Sequence, residues 1–469
     1  MNNLNFLVDV LKESPVFKTL EKNVKPGRTV CASGLSTINK SNIIYALCRL
    51  KGVTAFCLAS DEKEAQTLCN DLSCMGLRAY VYPVRDFNFL DFQSRSHEYE
   101  HARLKVLLKL LNHECDVAIA CVDAAAQLTV PRNVLEQSVI EFEEGRELSL
   151  EKATKALTLL GYERFDAVEG SGQFSLRGGI LDFFMPDSDY PVRCEFWGDE
   201  ITDLSYFDIE TQRRFKKADK ITLSPSTEIV IEDRAALADK IEHKAKLLRS
   251  KNSAKAKEKL FSEAELIRSG AMIANADKFI NQIYDKPESL FDYLDRNTLV
   301  FASEFTAIQE RGKSMDFISN ETLMQGFEDG TLCRGFDRFA LTFNECTEFL
   351  QSHGTIVLEN FVHGSMPIKL SEIISFSTKQ LSAWGGSYKQ LKEDVDGLFT
   401  PESKGVIFAG TERAAKNLCD TFNADGINAV YSEGADEISK GELLVMQGAL
   451  SAGFEYPSQK FFCNNLQPG

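Results

Sequence analysis

The first 131 residues alternate short apolar runs with helical segments, and few folds accommodate that alternation. Thr29-Val-Cys-Ala-Ser33, Thr54–Ala59, Ala79–Tyr82 and Val117–Cys121 read as strands. Asn42–Leu50 and Glu62–Leu72 read as helices, the second opening after Asp61 as its N-cap. Strands that alternate with helices predict a parallel sheet covered on both faces.

Pro131 opens a different texture. Ser149–Leu160 has helical spacing, and the stretch from Phe174 to Phe207 reads as short strands broken by Gly and Pro. Val192-Arg-Cys-Glu-Phe-Trp197 alternates with period two, which predicts an antiparallel sheet in a small α+β module. A second α/β stretch begins near Lys220, with a charged helix over Arg234–Leu266 and a strand at Thr298–Ala302. Another α/β unit starts after about Gly335, with strands at Gly405–Ala409, Ala429–Tyr431 and Glu442–Gln447. The expected architecture is multi-domain α/β with an inserted small α+β domain. Its divisions fall at 1–131, 132–220, 221–335 and 336–469.

At 469 residues the chain has room for three or four domains, and its 43% hydrophobic fraction can supply each with a core. The longest apolar runs, such as Val117–Cys121, are too short to span a membrane. The segment Met1-Asn-Asn-Leu-Asn5 shows no basic region followed by an apolar stretch, so a cytoplasmic protein is expected. Twelve scattered cysteines without C-x-x-C read as reduced core thiols. A formal net charge of −16 gives nucleic-acid binding no support, because phosphate contacts need local positive charge.

Five motifs compete for a function. Gly34-Leu-Ser-Thr-Ile-Asn-Lys-Ser41 has the spacing of a phosphate loop, but Asn39 stands where the second Gly lets backbone amides curl around phosphate. No paired Asp-Glu follows Val117–Cys121 to hold magnesium, so Gly34, Asn39, Lys40 and Ser41 read as a degenerate loop. His97-Glu-Tyr-Glu-His101 matches H-E-x-x-H, yet it lies in a polar helix start with no third ligand, and a metal site is not expected. The Asp199-Glu200 pair sits in a turn. Arg213-Arg214, Lys216-Lys217 and the run Lys240–Lys259 read as solvated faces. The most distinctive stretch is Gly170–Pro186, where Gln173, Ser175 and Arg177 alternate with Phe174 and Leu176. Arg164 lies just upstream. Exposed arginine beside an aromatic is an interface signature. Phe174 and Arg177 point to opposite faces of an ideal strand, so both reach one surface only through a twist or bulge near Gly172.

Three quoted patterns carry a resemblance. Phe174-Ser-Leu-Arg-Gly-Gly-Ile-Leu-Asp-Phe-Phe184, Val192-Arg-Cys-Glu-Phe-Trp-Gly-Asp-Glu-Ile201 and Phe207-Asp-Ile-Glu-Thr-Gln-Arg213 closely resemble the module shared by UvrB and the transcription-repair coupling factors. Tyr82-Pro-Val-Arg-Asp-Phe87, Arg103-Leu104 and Gly448-Ala-Leu-Ser-Ala-Gly-Phe-Glu-Tyr-Pro457 are similar to the coupling factors.

That resemblance covers essentially the whole chain and implies the N-terminal part of a coupling factor, ending where a polymerase-interaction domain would begin. It implies helicase-like parallel-sheet domains, with a motor-like first domain that has lost its nucleotide loop and a UvrB-type interaction domain at 132–220. It implies recruitment of UvrA to RNA polymerase stalled at a lesion. Arg164, Phe174 and Arg177 match the partner-binding points, and the surface carries no catalytic residue. ATP and magnesium are expected for the full-length family and not for this chain. Contacts to RNA polymerase and DNA are assigned to segments outside it. The competing expectation is a UvrB-like ATP-dependent helicase subunit. Phe87, Phe89, Phe92 and Tyr99 lie near where UvrB carries a strand-separating hairpin, but they lack a dense tyrosine run and read as packing residues.

Overall fold

Seven strands build the central sheet in the order Glu372–Ser375, Val30–Ser33, Thr355–Glu359, Leu299–Ser303, Ala55–Ala59, Val117–Cys121, Ala79–Tyr82. Every pairing is parallel. The structure is a computed structural model and describes residues 4–85, 97–249, 253–270, 276–362, 366–381, 384 and 387–465. Phe87, Phe89 and Phe92 lie outside the described residues, and Tyr99 is exposed.

Alternate residues of each strand feed two separate cores, because successive side chains leave a strand on opposite faces. Val30, Cys57, Ile119, Phe301 and Ile356 enter one, beneath helices Asn5–Glu13, Thr37–Lys51 and Glu62–Cys74. Cys31, Phe56, Ala118, Val300 and Val357 enter the other, beneath Glu98–Leu111, Phe305–Asp329 and Phe343–His353. Each fully buried large side chain contributes roughly 1.5–3 kcal/mol, so neither face can be left open.

This sheet crosses two of the expected divisions. Leu299–Ser303 pairs with both Ala55–Ala59 and Thr355–Glu359, so residues on either side of 131 and of 335 share one sheet. An apolar run signals that a strand is buried but carries no information about which sheet receives it. The insertion that separates Val117–Cys121 from Leu299–Ser303 is therefore invisible to periodicity. The expected single helix over Arg234–Leu266 is two packed helices, Arg234–Leu247 and Ser253–Ser269.

The insertion carries a six-stranded sheet in the order Arg214–Lys217, Glu200–Phe207, Val192–Trp197, Ile180–Phe183, Gln173–Arg177, Glu163–Arg164. Its pairings are antiparallel except the last, which is parallel. Phe174, Leu181, Phe183, Val192, Cys194 and Leu204 face a core closed by helix Leu150–Leu159 and by Phe142 of the strand pair Ile140–Glu143 and Lys220–Leu223. The opposite face is polar. The final lobe has its own six-stranded sheet, of which Lys404–Ala409, Ala429–Ser432, Glu442–Gln447 and Phe461–Asn465 run parallel. One side of it packs under Glu412–Ala424, while Phe408, Met446 and Tyr456 join the core beneath Thr37–Lys51.

The insertion is fastened to the central sheet by a fully buried ion pair. Arg103 Nε donates to Glu228 Oε1 at 2.7 Å, and both side chains are excluded from solvent. Thr129 Oγ1 donates to the second carboxylate oxygen at 2.6 Å, and Arg103 also donates to Gln127 Oε1 and Pro83 O. The guanidinium lies 4.2 Å from the Tyr82 ring centroid. Removing one partner of such a pair strands a buried charge at a cost of about 3–5 kcal/mol, whereas replacing both with apolar groups is often neutral. Glu228→Ala is therefore expected to lower the urea midpoint strongly, and Arg103→Met with Glu228→Leu is expected to recover most of the loss.

Candidate protein-docking face and degenerate phosphate loop

Strand Val30–Ser33 delivers Gly34 at φ +78, where a Cβ would lie 2.3 Å from the Phe376 carbonyl oxygen. Glycine is thus required by a neighbouring backbone. In a working phosphate loop the amides point at the nucleotide. Here Gly34 N donates to Asn360 O and Leu35 N to Glu359 O, both at 3.1 Å. Asn39 is buried; its Oδ1 accepts from Ser36 Oγ at 2.7 Å.

Lys40, the residue that would reach phosphate, is 2% exposed and already neutralised. Its Nζ lies 2.6 Å from Glu304 Oε1 and 3.1 Å from Glu64 Oε1, and donates to Ser303 Oγ at 2.8 Å. Glu359 stands behind them, accepting from Phe305 N at 2.8 Å. Burial, reinforced by the neighbouring Glu304 carboxylate, pushes its pKa up to about 7. A cluster of three carboxylates around one ammonium repels a polyphosphate.

The final lobe covers the same loop. Tyr456 OH accepts from Asn42 Nδ2 at 2.9 Å and from Asn39 Nδ2 at 3.3 Å. Ser41 Oγ donates to Asp71 Oδ2 at 3.2 Å, and Asp71 accepts from Ser451 N and Oγ, each at 2.7 Å. Burial raises Asp71 to about 6 despite those donors. Gly34, Asn39, Lys40 and Ser41 therefore come together; Asn39 and Ser41 join the final lobe, while Lys40 and Gly34 are engaged within the central sheet's own lobe.

The H-E-x-x-H pair lies on helix Glu98–Leu111 and its preceding residue, where the inserted module is seated. His97 Nδ1 is 3.0 Å from Glu100 Oε2, and the two imidazoles stack with centroids 5.9 Å apart. The His101 ring abuts Gly172, where a Cβ would lie 2.5 Å from Cε1. Glu100 accepts from Thr227 Oγ1 and Glu228 N, both at 2.8 Å. Among the described residues, the one group with metal-like spacing is Glu62, Cys121 and Asp123, and Arg311 ion-pairs with both carboxylates.

The polar face of the inserted sheet is organised by Asp182, which is 1% exposed. Arg193 grips it with two bonds of 2.7 and 2.8 Å, and Arg177 reaches the Oδ2 oxygen at 3.0 Å. Arg193 also covers the Phe207 ring at 4.3 Å and donates to Gln212. Arg177 keeps 53% of its side chain exposed, so it offers donors to a partner while its direction is fixed.

The three expected contact residues separate. Phe174 is 3% exposed and belongs to the core opposite Arg177, as strand alternation requires; its assignment to the docking surface is corrected. No bulge near Gly172 intervenes. Arg164 is exposed on the edge strand, and among the described residues it has no ion-pair partner. Its parallel register with Phe174 directs it to the core side of that edge, away from Arg177's face. Asp182 went unnoticed in the sequence, although Arg177, Asp182 and Arg193 share one face of neighbouring strands.

Comparison with known proteins identifies this inserted module. Residues 140–229 match the family model of the UvrB interaction domain. This segment is similar to the UvrB interaction domain. Over the longer chain, the transcription-repair-coupling factor of Bacillus subtilis is 26% identical across 464 residues, covering 96% of this chain and 39% of that protein. The coupling factor of Staphylococcus epidermidis is 25% identical over 398 residues, covering 81% of this chain and 32% of the relative. That of Staphylococcus aureus is 22% identical over 465 residues, with 97% and 39% covered. The chain thus resembles coupling factors almost throughout but spans about two fifths of their length. The matched segment begins at strand Ile140–Glu143 and runs six residues past its partner strand Lys220–Leu223, so that the buried Glu228 lies just inside its last residue.

Glu359 supplies a pH test of the loop. Its folded pKa lies above the ordinary value of about 4.3, so the folded state binds the proton more tightly. The associated stability is full below that ordinary value and is lost as pH rises through about 7. Glu359→Gln keeps the acceptor for Phe305 N and cannot ionise. The variant is expected to be more stable than the parent at pH 8, by on the order of 1–3 kcal/mol, with the difference shrinking towards pH 5 in denaturation titrations.

Proposed function

We propose that this chain is the UvrA-recruiting part of a transcription-repair-coupling factor, acting in transcription-coupled nucleotide excision repair. Contacts to RNA polymerase and DNA then belong to the portion of the longer relatives that this chain does not span, and the setting is the cytoplasm. The observation that carries the reading is Arg177, half exposed on the polar face of the UvrB interaction domain and held by buried Asp182. UvrA docks over that face and reaches around the edge to Arg164. Phosphoryl transfer has no part in this role. Asn39 is tied to Tyr456, and Lys40 is spent on Glu64 and Glu304, so the loop offers ATP no free cation.

Arginine anchors at an interface centre typically cost about 2 kcal/mol when truncated, roughly thirty-fold in affinity. Isothermal titration with UvrA is expected to show that loss for Arg177→Glu, a smaller loss for Arg164→Glu, and weakening with added salt. Unchanged affinity in both folded variants rejects the assignment. A parallel titration with a fluorescent ATP analogue is expected to show no magnesium-dependent binding. Micromolar binding abolished by Lys40→Ala would instead establish a UvrB-like nucleotide-driven enzyme.

A further inference from the structure

Trp197 is 82% exposed, one of two tryptophans in the chain, and no packing role accounts for it. The other, Trp384, is buried. Two other exposed aromatics of the inserted module, Tyr190 and Phe215, cover one another with ring centroids 4.7 Å apart. Along Val192–Trp197, residues 192, 194 and 196 are buried, so Trp197 leaves on the same face as Arg193 and Glu195. Ile180 pairs with both Arg177 and Glu195, which places Arg177 on that face too. Phe196 N donates to Gly179 O at 2.8 Å, so the Arg177-Gly178-Gly179 turn and Trp197 lie at the same end of the sheet.

The tryptophan is also rigidly mounted. Gly198 and Asp199 close a two-residue hairpin between Trp197 and its partner Glu200, with Gly198 at φ +62. The turn is gripped from outside by Leu148 N donating to Asp199 O at 2.7 Å and Ile201 N donating to Arg146 O at 3.1 Å. A large indole held in water on a fixed backbone costs little entropy to bury, and such residues dominate interface energetics.

We propose that Trp197 is the apolar anchor of the docking face, inserting into an apolar recess on the partner while Arg177 pairs with carboxylates on the rim of that recess. This rests on the docking reading above and names the chemistry of the surface that receives it. The face is continuous with Arg177, and the partner's complementary charge is set by that guanidinium. Glu195 and Asp203 on this side are already ion-paired with Arg214.

The test uses the full chain with UvrA. Trp197→Ala is expected to weaken binding about tenfold or more without changing the thermal melt, because the side chain packs against little. Trp197→Phe is expected to retain part of the affinity. A chain labelled with 5-hydroxytryptophan, whose emission can be excited apart from that of UvrA, should be quenched by iodide when free and protected in the complex. Affinity unchanged in Trp197→Ala, with iodide access unchanged on binding, overturns the anchor. If Arg177→Glu weakens binding in the same series, the docking face stands and only the anchor falls. If the parent chain does not bind UvrA, the docking reading and the anchor both fall.

Discussion

The mounting of the inserted module depends on Arg103 and Glu228, two opposite charges buried together with no access to water. Burial of either alone costs several kcal/mol, so the helix carrying Arg103 and the segment carrying Glu228 have one acceptable arrangement. Around the pair, every lone pair and donor has an answer in Thr129, Gln127 and the Pro83 carbonyl. Apolar contacts permit sliding; a satisfied buried ion pair does not. The module's polar face therefore has a defined direction with respect to the central sheet.

The phosphate loop shows the same economy at the other end of the sheet. A strand, a tight glycine and a helix start make amides and a lysine converge. In this chain the Gly34 and Leu35 amides and the loop's polar side chains serve other protein groups. Lys40 neutralises Glu64 and Glu304, Asn39 and Asn42 hold Tyr456, and Ser41 shares Asp71 with Ser451. Asn39 is the decisive substitution. Its side chain fills the space that a glycine leaves for phosphate, and its amide supplies a donor for a tyrosine 417 residues away. The segment with the spacing of a phosphate loop here provides a hydrogen-bonded seat for a neighbouring lobe.

Much of this was legible in the sequence, and the remainder was hidden for identifiable reasons. Local pattern placed most of the strands, and Asn39 stood out as one residue against a spacing. Strand alternation correctly set Phe174 against Arg177 on opposite faces, and the buried position of Phe174 follows from it. The division into consecutive domains failed because Leu299–Ser303 and Thr355–Glu359 return to the first sheet, and no local property of a strand encodes its distant neighbours. His97 and His101 resembled a metal motif because i and i+4 share a helix face. The same spacing suits a seat for Gly172, where a ring fills the space that a Cβ would need. Asp182 escaped notice because a lone acid between two arginines becomes a clamp only after the strands pair.

Electrostatics separates protein docking from nucleic-acid binding in this chain. The run Lys240–Lys259 is its longest positive stretch, and several of its charges are already engaged within the chain. Lys240 lies 3.3 Å from Asp285, Lys244 donates to the Gly335 carbonyl over the Phe336 ring, and Lys246 approaches Glu242. Arg268 is shared among Asp239, Glu242 and Glu265. A phosphate backbone draws its affinity from cations that can release counterions, and cations already paired within a chain of net −16 release few. Arg177 is in a different state. It shares one buried carboxylate with Arg193 and keeps half of its side chain exposed, so its guanidinium still has donors to offer at the surface. A single directed guanidinium is too little to hold a polyanion and well suited to selecting a carboxylate.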